Sequence, residues 1–415
     1  MKHNFALSLL ILATAATPAF AQKTGGQPVT VYDLDTLQKN TVPIVIAGDT
    51  QLAAYAHKAF ESHGRYSRVT SGGDFTLTFS PVSATQVRVD IAKKGSPTIT
   101  TVTAGGADAR DALYRAADAA VKNTSGTSGY FTSRLAFVSN NTGKDEIYVS
   151  DLFLNEARAV TNQRASILMP RWSPDGSRIL YTSLFRSNSP DLFQLDLRSG
   201  RWTTYADYKG TNMGARYSPD GSRVVFVIGH TNDTHGLYIG TPDGRAKPRS
   251  ILNSPDAKSS PCFSPDGQRI VFAMAYGSSP QLYIMPAGGG TPERIKTGAS
   301  YSAEPDWSQA NPNLIVFTAR RNGAFCIGVY DLSTKKTRFI TPKTSTGAVI
   351  RGDFLEPSWL PDGRHVVCTS RPSGDQRYLY ILDTVESPDG EEKAHNRATK
   401  ISALRAEHAS VLPQP

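Results

Sequence analysis

Two pairs of histidines come closest to a metal-binding pattern in this sequence. His230 and His235 are separated by a short polar stretch, and His57 and His63 belong to a predicted helix. Zinc proteases of the His-Glu-x-x-His type place two histidines one helical turn apart on the same face, and neither pair has that spacing. We therefore interpret the four histidines as solvated loop and helix-surface residues.

Motifs for nucleophilic or phosphate chemistry are incomplete. The sequence Gly-Ala-Ser-Tyr-Ser at 298–302 lacks the closing glycine of a Gly-x-Ser-x-Gly elbow. The three glycines at 288–290 open no helix and precede no Lys-Ser/Thr pair, so a hairpin turn is expected there. Cys262, Cys326 and Cys368 are far apart and predict free buried thiols. The sequence therefore predicts a protein without catalytic residues, metal or cofactor.

Composition and charge exclude two further classes. The chain has 415 residues, of which 39% are hydrophobic and 20% are charged, and its formal net charge is +9. The basic residues are scattered along the sequence rather than clustered in blocks, which argues against a disordered tail and against nucleic-acid binding. The length predicts two domains.

The first 21 residues have the pattern of a secretory signal peptide. Lys2 and His3 precede an apolar run at 5–16, and Ala-Phe-Ala at 19–21 predicts cleavage between Ala21 and Gln22. Later segments fall short of the ~20 apolar residues that a spanning helix requires. We expect an exported, water-soluble mature chain.

Residues 22–125 predict a small α/β domain. A buried strand at 43–48 leads into a helix that Asp49 caps and Gly64 ends. Alternating apolar and polar residues then predict a small antiparallel sheet, followed by a second helix. These segments lie at 75–79, 87–91, 98–103 and 107–122. A stretch rich in Ser, Thr and Gly follows, and we place a linker at 126–132.

A repeat occupies the rest of the chain, residues 133–415. An aromatic residue, a Ser-Pro-Asp-Gly turn and an apolar strand recur at 172–181, 217–226 and 263–272, and worn copies begin at Trp307 and Trp359. Each turn is followed by third and fourth strand patterns. Four antiparallel strands in each unit of ~45 residues are typical of a β-propeller blade. The aromatic residues are expected to fill the core between neighbouring blades.

Six blades are predicted. The unit that starts at Arg134 lacks a first strand, and a short strand pattern at 408–413 has the right period to supply it. We expect this C-terminal strand to close the ring and to cover exposed strand edges. The Ser-Pro-Asp-Gly copy at 387–390 follows a third strand and is interpreted as an outer hairpin. The predicted fold is mostly β: a six-bladed β-propeller after a small α/β domain and a cleaved signal peptide.

This order of segments resembles the TolB family, the periplasmic propeller proteins of the Tol-Pal system. The resemblance implies a monomeric periplasmic adaptor that binds a Pal-like peptidoglycan-associated lipoprotein at the propeller mouth. It also implies contact with a TolA-like inner-membrane protein through the amino-terminal segment. Such a protein would support outer-membrane integrity, protein import and cell division.

The resemblance places partner binding in the loops that lead into each innermost strand. In this sequence the expected residues are Leu168, Met169, Asn212, Met213, Ser259, Ser260, Ala303, Glu304, Leu355, Glu356 and His408. Glu304-Pro305, Glu356-Pro357 and Asn212 match the family form, and the other positions follow from spacing alone. The two glutamates could equally accept hydrogen bonds within their own loops.

Other functions remain open at this point. The chain could be a secreted propeller that binds a carbohydrate or peptide, or a propeller of the prolyl-oligopeptidase type without its catalytic domain. A calcium ion in the channel is a further possibility, although the sequence contains no Asp-x-Asp-x-Asp-Gly loop.

Overall fold

The computed structural model describes residues 41–186, 189–230, 234–277, 279–385 and 397–413. The predicted signal peptide, its cleavage point between Ala21 and Gln22, and the turn copy at 387–390 lie outside these ranges. Neither helix of the described residues is both long and apolar enough to cross a membrane.

The α/β domain is a five-stranded sheet with two helices. Its strands are β1 to β5, in order Val42–Gly48, Tyr66–Arg68, Phe75–Ser83, Gln86–Lys93 and Ile99–Gly105. The helices are α1, Thr50–Ser62, and α2, Ala109–Ser125. The sheet order is β2-β1-β3-β4-β5, with β1 parallel to both β2 and β3 and the other pairs antiparallel.

The sheet is therefore mixed, whereas the sequence predicted an antiparallel one. Helix α1 carries the chain back across the sheet, and a crossover of that kind joins parallel strands. The three-residue strand β2 is too short to show a pattern and was not predicted. The helix boundaries follow local chemistry: Asp49 Oδ1 accepts hydrogen bonds from the backbone N–H groups of Gln51 and Leu52, each at 3.0 Å.

The described part of the propeller consists of six four-stranded antiparallel sheets, each named as a blade in chain order. Blade 1 contains β6 to β8, Arg134–Ser139, Glu146–Asp151 and Arg158–Ala159. Blade 2 contains β9 to β12, Ile167–Trp172, Arg178–Ser183, Asp191–Asp196 and Trp202–Ala206. Blade 3 contains β13 to β16, Thr211–Tyr217, Val224–Gly229, His235–Gly240 and Arg249–Ser254.

The remaining blades repeat this plan. Blade 4 contains β17 to β20, Lys258–Phe263, Arg269–Tyr276, Ser279–Pro286 and Glu293–Arg294. Blade 5 contains β21 to β24, Tyr301–Trp307, Leu314–Arg321, Ala324–Asp331 and Lys336–Phe339. Blade 6 contains β25 to β28, Asp353–Trp359, His365–Arg371, Tyr378–Asp383 and Ala398–Lys400.

The ring closes through the last strand, β29, Glu407–Val411. It pairs antiparallel with β6 and becomes the innermost strand of blade 1, with Val411 opposite Leu135 and Ser410 opposite Ala136. The backbone oxygen of Ser410 also accepts a hydrogen bond from Trp172 Nε1 of blade 2 at 3.1 Å. The predicted closure of a six-bladed ring is confirmed.

The Ser-Pro-Asp-Gly segments form the tight turns that the sequence predicted. In the first copy, Gly176 adopts a left-handed conformation (φ 69°), and its N–H donates to the backbone oxygen of Ser173 at 2.9 Å. Asp175 accepts from the N–H of Ser177 at 3.1 Å and from the hydroxyl of Ser173. These bonds lower the pKa of the Asp175 carboxyl below its ordinary value, with the Ser173 hydroxyl as the largest cause.

The aromatic residue that precedes each turn belongs to the core. These residues are at most 7% exposed, and they pack between neighbouring blades; they are Trp172, Tyr217, Phe263, Trp307 and Trp359. All three cysteines are free, with Cys262 and Cys368 buried and Cys326 half-buried. The core position of the aromatic residues is confirmed, and the prediction of free buried thiols holds except that Cys326 is half-buried.

The α/β domain packs on one face of blades 1 and 6. Its core is continuous with that of the propeller, and Tyr130 and Phe131, from the segment between the two domains, are completely buried in it. The N–H of Gly64 donates to His365 Nε2 at 3.1 Å, and Arg397 Nη1 donates to the backbone oxygen of Glu61 at 2.9 Å. The segment predicted as a linker thus contributes side chains to the interface.

Candidate functional site

A channel runs along the axis of the propeller, and its two ends differ. At one end, here the free mouth, each innermost strand begins. At the other end, here the turn mouth, each innermost strand ends in its Ser-Pro-Asp-Gly-type turn. The α/β domain packs on the turn-mouth face, because its partner His365 directly follows the turn of blade 6. The contacts of this domain therefore leave the free mouth accessible.

A ring of left-handed residues lies inside the innermost strands near the free mouth. Each blade contributes one, with φ between 51° and 68°: Met169, Gly214, Ser260, Glu304, Glu356 and His408, together called the bulge ring. Each occurs where the strand register shifts. In blade 5, for example, two residues oppose the single residue Phe317, which is a β-bulge.

The sequence placed these residues in loops, and the structure corrects that placement. They lie within the strands, one residue after a paired position such as Ser259, Ala303 or Leu355. In blade 3 the prediction of Asn212 and Met213 is one residue out of register, because Met213 occupies the paired position and Gly214 belongs to the bulge ring.

Side-chain exposure divides the predicted residues. Met169, Met213, Ser259, Ser260, Glu304 and His408 are partly exposed, whereas Asn212, Ala303, Leu355 and Glu356 are buried. The Asn212 side chain is used internally: its Nδ2 donates to the backbone oxygen of Tyr208 at 2.7 Å and its Oδ1 accepts from the Tyr208 N–H at 3.1 Å. Asn212 thus shapes the loop beside the mouth.

The two predicted glutamates connect neighbouring blades. Glu304 Oε2 accepts from the Thr318 hydroxyl at 2.6 Å and from the N–H of Glu356, in the next blade, at 3.1 Å. Glu356 Oε2 repeats the pattern with the Thr369 hydroxyl at 2.7 Å and the N–H of His408 at 2.9 Å. The carboxylates therefore latch blade 5 to blade 6 and blade 6 to blade 1.

The two carboxyl groups have opposite pKa shifts. Burial and the charge of Glu356 raise the pKa of Glu304 above its ordinary value. Burial acts in the same sense on Glu356, but His408, the Thr369 hydroxyl and Arg371 outweigh it and lower the pKa of that carboxyl. Glu356 is therefore the more acidic member of the pair.

Arginines surround the acidic groups at the seam between blades 6 and 1. Glu407 pairs with Arg377 at 2.6 Å and with Arg405 at 3.3 Å, and Glu356 lies 3.7 Å from Arg371. Glu356, Glu407 and His408 lie close enough together to contact a single metal ion. A cation bound there would have to displace the arginines, so the residues do not fit a metal site.

A second cluster lies between the two domains. His63, Asp362 and His365 lie together, with the His63 and His365 rings 4.4 Å apart and His365 Nδ1 2.5 Å from Asp362 Oδ2. His63 is buried, which corrects its interpretation as a solvated surface residue. Burial, followed by the charges of His365 and Arg364, lowers the pKa of His63 well below its ordinary value. This basic surrounding also opposes a metal ion.

A second ring lines the channel towards the turn mouth. It lies two residues after the bulge ring and consists of Arg171, Arg216, Cys262, Asp306, Ser358 and Ser410, together called the lumen ring. Arg216 Nη1 donates to Asp306 Oδ1 and lies 2.8 Å from Cys262 Sγ. Cys262 and Asp306 raise the pKa of Arg216 although burial opposes this, so the guanidinium stays charged. The sequence motifs do not reveal this ring, of which only Cys262 stood out, as a free thiol.

The free-mouth face also presents exposed apolar side chains. Tyr208, Tyr276, Val349 and Leu404 are 41–60% exposed; Tyr276 ends strand β18, and the other three lie in connections beside this mouth. Tyr208 borders a shallow depression of about 320 Å³ between blades 2 and 3. Exposed aromatic and aliphatic groups beside polar loops are the composition that protein-binding surfaces favour.

Comparison with known proteins identifies relatives of this chain. A family model described as the TolB beta propeller domain matches residues 121–395. The Tol-Pal system protein TolB of Bordetella pertussis is 32% identical over 226 residues, which are 53% of this chain and 51% of that protein. The protein of the same name from Bordetella bronchiseptica gives the same figures. The chain spans about half the length of the curated relatives it matches.

Solved structures share the fold. The crystal structure of TolB from Acinetobacter baumannii has a TM-score of 0.76 and 21% identity, covering 90% of this chain and 97% of that one. A putative TolB from Agrobacterium tumefaciens has a TM-score of 0.50 and 19% identity, covering 67% and 91%. Hydrazine synthase of Kuenenia stuttgartiensis reaches 0.55 at 15% identity, covering 69% and 47%. At such identities the likeness shows the fold alone.

Proposed function

Since the chain belongs to the TolB β-propeller family, we propose that it is a periplasmic adaptor of a Tol-Pal-like system. Its free mouth binds a Pal-like peptidoglycan-associated lipoprotein, and the protein has no catalytic role. The observation that carries this proposal is the match of the family model to residues 121–395. The relatives that name the Tol-Pal system give the proposal its biological setting.

The geometry of the propeller supports the free mouth as the docking surface. The opposite face packs against the α/β domain, so a large partner has more room at the free mouth. Half-buried side chains such as Met169, Met213 and Ser260 line that mouth, and Tyr208 stands beside it. Tyrosine anchors often dominate the binding energy of an interface.

Glu304 and Glu356 are unsuitable substitution sites for a binding test, because they are hydrogen-bonded between blades. Replacing Glu304 and Glu356 with alanine would remove the hydrogen bonds between blades, so a loss of binding could reflect damage to the ring. We therefore choose the double variant Tyr208→Ala/Met213→Ala, whose side chains are exposed or half-buried at the free mouth. Trp202→Ala is the matched control, because Trp202 is 40% exposed on the outer strand of blade 2.

The test measures binding of a purified Pal-like lipoprotein, without its lipid, to the immobilised chain. We expect Tyr208→Ala/Met213→Ala to weaken binding about tenfold or more, while Trp202→Ala binds as the unaltered protein does. Circular dichroism checks that both variants are folded. If the unaltered chain fails to bind the lipoprotein, the adaptor proposal is wrong. If the unaltered chain binds and the double variant binds equally well, the surface assignment is wrong.

The proposal extends to the amino-terminal segment and to the rival functions. A TolA-like partner would contact residues after Gln22, and deleting 22–28 would abolish its capture while leaving lipoprotein binding intact.

The rival functions predict different activities. A detached peptidase propeller would hydrolyse peptides, and a ligand-binding propeller would capture carbohydrate or peptide without binding the lipoprotein. We expect neither activity.

A further inference from the structure

A cavity opens from the channel at the turn mouth. Its volume is about 710 Å³, which lies within the range of small-molecule sites. Turn residues such as Pro174 and Pro219 line it, as do Ser128 from between the domains and members of the lumen ring. The cavity is thus at the opposite end of the channel from the mouth proposed to bind the lipoprotein.

The charges in this cavity are not balanced locally. Arg216 pairs with Asp306, and the side chains of the two residues are 15% and 13% exposed. Arg171, the other arginine of the lumen ring, forms no ion pair within the described residues. Its Nη1 donates only a long hydrogen bond, 3.4 Å, to the backbone oxygen of Pro170. One guanidinium therefore faces the cavity without a carboxylate of its own.

The surroundings of Arg171 also favour a counter-ion. The residue lies deep in the channel, where burial and the neighbouring charge of Arg216 lower its pKa to about 10. Asp306 and, less strongly, Glu304 oppose that shift. Asp306 is already engaged, since it also accepts the Trp359 N–H at 2.7 Å. Glu304 is held by Thr318 and Glu356.

The walls of the cavity are largely apolar. Prolines and leucines line it, among them Leu360, Leu412 and Pro413. The edges of five core aromatic residues, each at most 7% exposed and each from a different blade, also reach it: Trp172, Tyr217, Phe263, Trp307 and Trp359. Apolar walls with a few polar groups are typical of sites that bind a small organic molecule. A guanidinium pairs with a carboxylate through two parallel hydrogen bonds, which fixes the orientation of the bound group.

We propose that this cavity binds a small organic carboxylate, whose carboxylate group pairs with Arg171 and whose apolar body packs against the prolines and leucines of the wall, beside the edges of the tryptophans. The site is independent of the proposed adaptor function, because it lies at the other end of the channel and uses no free-mouth residue. A single uncompensated guanidinium matches one negative charge and disfavours a cation.

The protein supplies its own reporter for the test. Three of its four tryptophans line the cavity, and Trp202 is the fourth. In a Trp202→Phe background, titration with 3-phenylpropionate should therefore change the tryptophan fluorescence in a saturable way. We expect the neutral amide, 3-phenylpropanamide, and inorganic phosphate to bind at least ~10-fold more weakly, because a charge-assisted hydrogen bond is lost or the apolar contact is missing.

Matched variants assign the effect to Arg171. We expect Arg171→Met to weaken 3-phenylpropionate binding at least ~10-fold, Arg171→Lys to weaken it less, and Arg245→Met to have no effect. Arg245 is the control because its side chain is 89% exposed. Ligand should also raise the melting temperature of the unaltered protein but not that of Arg171→Met.

Two results would overturn the proposal. One is a lack of saturable binding by the unaltered chain in both fluorescence and thermal unfolding. The other is equal affinity for 3-phenylpropionate and its amide, which would show that the carboxylate is not recognised. If Arg171→Met does not fold, Arg171→Lys with a normal melting temperature decides the assignment: weakened binding of 3-phenylpropionate supports it, and unchanged binding overturns it. Lost discrimination between acid and amide in Arg245→Met would also overturn it.

Discussion

Single residues in the bulge ring show how position decides the role of a carboxylate. Glu304 and Glu356 occupy equivalent positions in successive blades and make equivalent hydrogen bonds. They differ in the charges nearby, because Glu356 faces His408 and Arg371 whereas Glu304 faces Glu356. The same residue type therefore stabilises the ring when ionised in one blade and opposes folding when ionised in the other.

This difference predicts opposite results for two conservative substitutions. Glu356→Gln should lower the free energy of unfolding at pH 7 by about 1–3 kcal/mol, because a buried ion pair and charge-assisted hydrogen bonds are lost. Glu304→Gln should not lower it, because the amide oxygen can still accept both hydrogen bonds and the repulsion from Glu356 is removed. Urea-induced unfolding of the two variants measures both values.

The pH dependence of the free energy of unfolding tests the opposite roles of the two glutamates. The folded-state pKa of Glu356 is lowered, so its stabilisation is present at neutral pH and is lost as the pH falls below about 4.5, its ordinary value. The deficit of Glu356→Gln should therefore shrink in acid. For Glu304 the pKa is raised, so its unfavourable contribution appears as the pH rises. A deficit of Glu356→Gln that is constant from pH 7 to pH 4 would contradict this account.

At the residue scale the sequence predicts less than it does for the fold. The Glu-Pro pairs at 304 and 356 mark two bulge positions, but the family match at Asn212 places the blade 3 position one residue too early, at Met213. Glu304 lies four residues before Ser308, and the same count back from Ser218 gives Gly214, the residue found in the bulge ring. The burial of His63 depends on His365, far away in the chain, so no local pattern reveals it.

At the scale of elements, one short strand completes the ring. Strand β29 supplies the innermost position of blade 1 and contacts both neighbouring blades: Ser410 accepts from Trp172 of blade 2, and the N–H of Val411 donates to Ser358 Oγ of blade 6 at 3.2 Å. Without it, the hydrogen-bonding groups of β6 would face an open channel. Exposed strand edges of this kind pair with other chains.

Removing this strand should therefore prevent closure. We expect a chain that ends at Ala406 to lose its near-ultraviolet circular dichroism signal and to aggregate at micromolar concentration. A synthetic peptide covering 405–413, added during refolding, should restore the signal, and a scrambled peptide should not. A truncated chain that stays monomeric with an unchanged spectrum would refute the proposed role of β29.

The elements themselves were the most predictable level of this structure. The aromatic residue and the Ser-Pro-Asp-Gly turn locate the first two strands of the repeated blades, because proline, aspartate and glycine each have a defined conformational role there. The α/β sheet was less predictable, since parallel pairing of β1 with β2 and β3 depends on the path of α1. Neither pairing leaves a periodic signal in the residues concerned.

At the scale of the whole molecule, the two domains share one interface. Gly64 packs against the propeller so closely that a Cβ atom would lie 1.9 Å from Asp383 Oδ2. Asp383 pairs with Arg364 at 2.7 Å, and both side chains are at most 5% exposed. Any side chain at position 64 would therefore have to move a buried ion pair or separate the domains.

We expect Gly64→Ala to loosen the domains while leaving each one folded. The buried residues Tyr130 and Phe131 should then exchange their amide hydrogens faster, and protease should cleave near 126–132 at a higher rate. Gly105→Ala is the control in the same domain, because its added Cβ would meet no atom closer than 3.9 Å. Equal cleavage rates for the two variants would show that position 64 does not hold the interface.

The pairing of β29 with β6 has a kinetic consequence. Leu135 and Val411 can become neighbours only after all intervening blades have been synthesised, so closure of the ring is a late step in folding. Bringing such distant segments together carries a large entropic cost, and folds dominated by distant pairings form slowly. Every newly synthesised chain therefore passes through an interval in which the ring is open and its unpaired strand edges are exposed to proteases and to other chains.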